Sequence, residues 1–447
     1  MRPGLLLLGL ALVASAAFAE EPVRVVLPNG MRLIAKPDPG TEIVALDLLL
    51  DVSAADEPDD KVGIRLLTQR LLLRGTRNES GDSMAQRLVA AGASADVSVG
   101  LDYVELYVLA PADAFTLALA ALADVVRAPA FLPEEVDRQK EGAADLAQQS
   151  LTDPFQAAYL ALRQGLYPGD PYSRPTLGTP SSLRSISRED VIAFHGKHYR
   201  PGRTVLAVCG GLGAARAIRA ARAAFGDWPA GTVPERHPGP ASAPSPDILV
   251  RELPTRQAHL LLGSPAPAAG QPGYCALQVL DALLSGGASA RLPKLLRERL
   301  GLAYDVSSFY PTLAGPSHFG LYVVTDPYQV EAARAAVVGL LKALAREPVS
   351  SPDLERAKRY LLGSNALAHQ RMKDQAYSFA WYEILALGWD FDRRYADGIR
   401  AVTADQVQEA AQALLGGLLI ALAMPVGRGR DIRRSCSKRA PAGWRRI

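Results

Sequence analysis

Apolar residues along this chain repeat first at a period of two and then at helical spacing, and the chain runs through that order twice. In the first half, MAQRLVAAG reads as a short helix and SADVSVG with DYVELYVLA as a strand pair. VELYVL alternates as a half-buried strand does. ADAFTLALAALADVVRA is a long amphipathic helix, and LPEEVDRQKEGAADLAQQ is a second one opened by acidic residues. The second half repeats the series: LPKLLRERLG, then AYDVSSFY with HFGLYVVT, then YQVEAARAAVVGLLKALARE and SSPDLERAKRYLLGSNALA. Equal order and similar lengths predict an internal duplication. Each half is therefore expected to be α+β, with antiparallel strands on one side and helices on the other. Trp228 to Asp247 is rich in Pro, Ser, Ala and Gly and reads as an extended linker over residues 229–247. It leaves 20–228 and 248–427 as two domains of ordinary size, expected to form a pair of facing shells.

Composition agrees with a folded protein: 49% of the 447 residues are hydrophobic, enough for two large cores. MRPGLLLLGLALVASAAFAE has one Arg, an apolar run and a small-x-small end, so residues 1–19 are expected to be a signal peptide cleaved after Ala19. A membrane anchor is the weaker reading, because the run is shorter than the roughly 20 residues of a span. No later segment reads as a span, and the mature protein is expected in the periplasm. Three scattered cysteines, Cys209, Cys275 and Cys436, form neither a metal nor a redox pattern.

The charge of +3 is unevenly placed. Residues 428–447 carry eight Lys or Arg and one Asp, and with Arg2 they account for +8, leaving −5 from Glu20 to Gly427. Such a tail suits an anionic surface or nucleic acid. The plainer readings, a solvated appendage or a misread gene end, fit its composition better, and no nucleic-acid partner is expected.

Several ordered segments together resemble a known family. RVVLPNGMRLIAKPDPG, RLLLRGT and AGASADVSVGLDYVELYV are similar to the N-terminal domain of the M16 (pitrilysin- or insulinase-like, mitochondrial-processing-peptidase-like) metallopeptidases. FHGKHYRPGRTVLAVCGGL resembles that domain's end. GGASARLPKLLRERLGLAYDVSSF and DLERAKRYLLGSNAL resemble the C-terminal domain. The resemblance extends from about Val23 to Pro425 and suits the short, two-domain bacterial type, which works as a dimer.

That resemblance implies a zinc site, and this chain departs from it. Active members carry His-x-x-Glu-His on a helix before a Gly-Thr, with a Glu ligand on a later helix. Two His at i and i+4 share a helix face and bind the metal, and the Glu between them acts as general base. Counting back from Gly75-Thr76, the first His position falls on Leu66, the Glu on Gln69 and the second His on Arg70. The third-ligand position falls on Leu146, and a further acidic position on Gln139. Leucine has no lone pair, an amide does not take a proton from water, and arginine is a permanent cation. No His occurs between residues 52 and 131, so a shifted alignment restores nothing. His195 and His198, the one close His pair, read as structural because no carboxylate stands at ligand spacing. No metal or other cofactor is expected in this subunit.

The family's Arg-Tyr pair in the C-terminal domain is present as Arg297 and Tyr304. In relatives this pair faces the zinc and contacts the substrate backbone. Leu292, Leu295 and Leu296 are expected to bury the helix that carries Arg297, and Gly301 to end it. Three readings follow. In the first, the chain is the non-catalytic subunit that brings the Arg-Tyr pair to a zinc-bearing partner with His-x-x-Glu-His, and the complex acts on unfolded peptides. In the second, it is a stand-alone peptide-binding or scaffolding protein. In the third, and weakest, it is a self-sufficient peptidase with an unconventional metal site.

Overall fold

The computed structural model describes residues 21–231 and 248–428. The expected signal peptide 1–19, most of the expected linker and the tail beyond Arg428 lie outside the described residues. The first half runs β1 (Val23–Val26), β2 (Arg32–Pro37), β3 (Ile43–Leu50), α1 (Ile64–Leu72), α2 (Gly81–Ala90), β4 (Ser94–Val99), β5 (Val104–Pro111), α3 (Phe115–Arg127), α4 (Pro133–Thr152), α5 (Pro154–Leu166), α6 (Pro180–Ser185), α7 (Arg188–His198), β6 (Thr204–Gly210) and α8 (Ala214–Phe225). The second runs β7 (Leu249–Leu253), β8 (Ala258–Ala266), α9 (Tyr274–Ser285), a π-helical turn (Pro293–Arg299), β9 (Asp305–Phe309), β10 (Ser317–Thr325), α10 (Val330–Arg346), α11 (Ser351–Ala368), α12 (Met372–Ile384), α13 (Phe391–Ala401), α14 (Ala404–Gly416) and β11 (Leu419–Pro425).

The duplication is visible in the sheets. Their strand orders are β1-β2-β6-β3-β5-β4 and β7-β11-β8-β10-β9, so the second sheet repeats the last five positions of the first. Both are α+β as expected, with one refinement. β2 pairs with β6, and β7 with β11, in parallel. In each half the last strand returns after the helices and inserts between two earlier ones, β6 between β2 and β3 and β11 between β7 and β8, and that crossover allows parallel pairing.

Each sheet carries its own half's helices on one side, as expected, and its second face is covered as well. Leu46, Leu48, Leu206 and Val208 face their own half's helices. Ala45, Leu49, Val205, Ala207 and Cys209 point the other way, into a core shared with Ala376, Ala380, Trp381 and Ile384 of α12. Reciprocally, Leu261, Leu419, Ala421 and Ala423 pack on Ala158, Ala161 and Leu162 of α5. α5 and α12 are each the third helix after the strand pair of their own half, so the halves exchange the same element. They are clasped together and do not stand as separate shells. The clues were β3 and β6, IVALDLLL and TVLAVCG, which are apolar on both faces as doubly covered strands are.

Both crossings are specific. Trp381 lies 4.8 Å from the ring of Tyr103, Tyr377 donates to the Tyr103 hydroxyl at 3.0 Å, and Arg24 pairs with Glu383 at 2.6 Å. On the other side His318, fully buried, has Tyr159 and Tyr167 hydroxyls at 2.9 and 2.8 Å from its two ring nitrogens. Burial lowers its pKa to about 3, so it serves as a neutral donor-acceptor pin. Gly263 admits α5 because a Cβ there would lie 2.7 Å from the Leu162 methyls.

One residue in the clasp works against it. Asp47 shares the buried face of Ala45 and Leu49, has no exposure, and neither carboxyl oxygen has a hydrogen-bond partner. Burial first, then the charge of nearby Glu105, raise its pKa well above the carboxylate range, against the opposing pull of Lys373. A raised folded-state pKa contributes stability fully below the unfolded value of about 3.9, and loses it as pH rises through the folded value. Asp47→Asn is therefore expected to match wild type near about pH 4 and to exceed it by about 1–3 kcal/mol at neutral pH. Urea unfolding at the two pH values checks this, and a gap that does not widen with pH would contradict it.

Candidate functional site

Of the positions that the resemblance assigns to a metal site, the fold brings Arg70 and Gln139 into contact. α1 lies against α4, and Arg70 on the first donates from Nε to Gln139 Oε1 on the second at 3.0 Å. Arg70 also reaches Gly142, where an added Cβ would lie 3.3 Å from Nη2. Leu146 is one helical turn beyond Gly142 on the same face of α4. It is 37% exposed, and it lines a hollow of about 600 Å³ that continues to Arg163. Leu66 is buried in the first half's core.

Gln69 is turned fully inward. Its Nε2 donates to the Glu105 carbonyl at 2.8 Å, and its Oε1 accepts from the Tyr199 hydroxyl at 3.0 Å. The side chain thus ties α1 to β5 and to the segment after α7. An amide does both jobs at once, whereas a carboxylate has no proton to give the carbonyl. At the general-base position the chain holds a structural cross-link.

These donors do not fit zinc. Leu66 and Leu146 offer no lone pair, and Gln69 is engaged at both ends. Partial burial and the neighbouring Arg74 lower the pKa of Arg70, yet a guanidinium remains cationic in any ordinary range. Among the described residues no group of three or more His, Cys, Asp or Glu side chains is placed to hold a metal. His195 and His198 diverge. His195 has Nε2 3.0 Å from the Val126 carbonyl, and burial lowers its pKa to about 4. His198 lies 3.2 Å from Asp56, which also holds Arg203 at 2.7 Å. Burial pushes the Cys209 thiol up to about 12, as befits a small core residue.

In the second half the Arg-Tyr segment presents itself differently. The helix expected from LPKLLRERLG is a π-helical turn, closed by Leu300 N–H to the Leu295 carbonyl at 3.0 Å. Pro293 has no N–H to give, and the wider turn still buries Leu292 and Leu296. Leu295 is only half-buried. Gly301, at φ +62°, ends the turn as expected. Arg297 stands exposed on this turn, and Tyr304, just ahead of edge strand β9, is 62% exposed. Neither side chain has a hydrogen-bond, ion-pair or ring partner among the described residues. The backbone beneath Tyr304 is fixed, its N–H bonded to the Val324 carbonyl at 2.9 Å. π-turns are rare and concentrate at functional positions.

Sequence reasoning missed Tyr199 as the partner of Gln69 and Gln139 as the partner of Arg70. The paired residues stand 130 and 69 positions apart, and no periodicity links them.

Comparison with known proteins places both halves in one group. Residues 32–180 match the model of the insulinase family, peptidase family M16, and residues 185–361 match the model of the peptidase M16 inactive domain. An uncharacterized zinc protease of Streptomyces coelicolor is 26% identical over 404 residues, 88% of this chain and 87% of that protein. An uncharacterized zinc protease of Bacillus subtilis is 25% identical over 346 residues, covering 76% and 82%. The fold is similar to the crystal structure of a peptidase M16 inactive domain from Pseudomonas fluorescens, with TM-score 0.84, 22% identity, and coverage of 91% of this chain and 98% of that one. It is similar also to a protease from Helicobacter pylori, with TM-score 0.83, 18% identity, and coverage of 91% and 100%.

If Gln69 is a cross-link, restoring the acid costs stability. Gln69→Glu sets a carboxylate oxygen against the Glu105 carbonyl in a fully buried site, and a loss of about 2 kcal/mol or more is expected. Tyr199→Phe should cost about 1 kcal/mol. Denaturant unfolding measures both, and a Gln69→Glu protein as stable as wild type would show that the position is open to solvent.

Proposed function

We infer the function of this chain from its kinship: it belongs to the M16 peptidase family, to which both halves align. Within that family it serves as the non-catalytic subunit of a heterodimeric, exported zinc endopeptidase that degrades or processes unfolded peptides. The partner subunit supplies His-x-x-Glu-His and the zinc. This chain supplies Arg297 and Tyr304. One contrast carries the reading. The α1–α4 contact keeps no metal donor set, while Arg297 and Tyr304 stand exposed without a partner among the described residues.

The chemistry suits the two residues. A guanidinium fork grips peptide carbonyls, and a phenol donates to the oxygen that gains charge when a carbonyl is attacked. A bare Arg on a π-turn and a bare Tyr on an anchored backbone are held ready for a ligand from outside the chain. The relatives named zinc proteases make a zinc-bearing partner the natural source of the metal. A periplasmic location follows from the leader 1–19. No helix among the described residues is long and apolar enough to cross a membrane.

Affinity capture of the tagged mature protein from its native source tests this. A near-stoichiometric second chain carrying His-x-x-Glu-His is expected, and the pair should cleave unfolded peptide in a chelator-sensitive way. Arg297→Ala should lower kcat/KM of the pair by about tenfold or more, with the pair intact and its Tm unchanged. Recovery of this chain alone would favour a stand-alone peptide-binding scaffold. Zinc and chelator-sensitive cleavage in the pure chain would favour a self-sufficient peptidase.

A further inference from the structure

Beside Tyr304 the surface sinks into a hollow of about 410 Å³. Its walls include Tyr304, Tyr328, Asp326 and Gln329, and its volume lies in the range of sites that hold small ligands or single side chains. Tyr328 is 76% exposed, so two exposed aromatic residues flank one cavity. Asp326 spends one oxygen on the Tyr328 N–H at 2.8 Å, and its second has no hydrogen-bond partner among the described residues. Asp305, exposed and in register with Val324, adds a second negative charge nearby. Two π faces and a free carboxylate oxygen attract a cation and give an anion nothing to hold.

A cation already meets one of these two rings. The guanidinium of Arg428 lies 4.5 Å from the centre of the Tyr328 ring and donates a hydrogen bond to its hydroxyl. Arg428 follows β11, on a turn closed by its N–H to the Pro425 carbonyl at 3.3 Å. Gly427 N–H to Glu252 at 3.2 Å steadies the same turn. It is also the first cation of the basic tail that the sequence sets apart from an otherwise acidic body.

We propose that the hollow between Tyr304 and Tyr328 seats a cationic side chain, arginine or lysine, of the peptide held at Arg297 and Tyr304, and that Arg428 is its built-in competitor. The proposal rests on the peptide-holding reading of that face. Tyr304 belongs to both features, so a peptide whose backbone lies on Arg297 and Tyr304 has a side chain within reach of the hollow. Asp326 and Tyr328 then act as specificity residues. Arg428 sets a threshold, because an incoming cation must displace it.

The test uses the full chain and fluorescence anisotropy with two labelled, unstructured peptides. One carries arginine at every third position, and the other carries citrulline, which keeps the shape and removes the charge. Arg428→Gln is expected to tighten the arginine peptide by about two- to fivefold, the range of an exposed cation–π contact, and to leave the citrulline peptide unchanged. Adding Tyr328→Leu should abolish that gain. All these positions are on the surface, and unchanged Tm values confirm folding. Equal binding of the two peptides in wild type and in Arg428→Gln overturns the proposal. If both then still weaken in Arg297→Ala, the seat is wrong and the peptide-holding face stands. If neither peptide binds in any form, both readings fall together.

Discussion

A β-sheet buries only one face against its own helices, and in this protein the second face is closed by a helix from the other half. α5 lies on β8 and β11, and α12 lies on β3 and β6. Because the two crossings use equivalent elements on equivalent strands, neither half has a complete core alone. The sites are placed by the same exchange. α5 follows α4, whose face carries Gln139 and Leu146. α12 brings its own polar load over the buried Asp47, so one aspartate in a run of eight strand residues couples the clasp to protonation.

The positions that the family resemblance assigns to a metal site do structural work in this chain. Gln69 joins three segments through one amide, and Arg70 spans from α1 to Gln139 on α4. A cross-link of this kind disfavours an acid at Gln69, since a carboxylate removes a buried hydrogen bond. The third-ligand position is under no such demand: Leu146 stays partly exposed beside a hollow.

The second half shows the opposite economy. Charged and aromatic side chains elsewhere are mostly engaged, as Arg203 is with Asp56 and Tyr377 with Tyr103. Among the described residues Arg297, Tyr304 and Asp326 Oδ2 are without partners, and Tyr328 is met by Arg428. Groups held without partners on an anchored backbone bind with little reorganisation, which is how a surface is made ready for a ligand.

The sequence by itself determined the duplication, the α+β class, the family and the identity of every residue at the positions that the resemblance assigns to a metal. Those are properties of local periodicity and of ordered motifs, which a linear chain displays. Even the double covering of β3 and β6 was written there, as strands apolar on both faces. What covered them was not, because pairing α12 with β3 joins residues more than 300 positions apart through shape alone. The cross-link at Gln69, the two-tyrosine pin on His318 and the hollow between Tyr304 and Tyr328 share that reason. Each is a meeting of side chains from distant segments, and only the folded chain decides which of them come within hydrogen-bonding or packing distance.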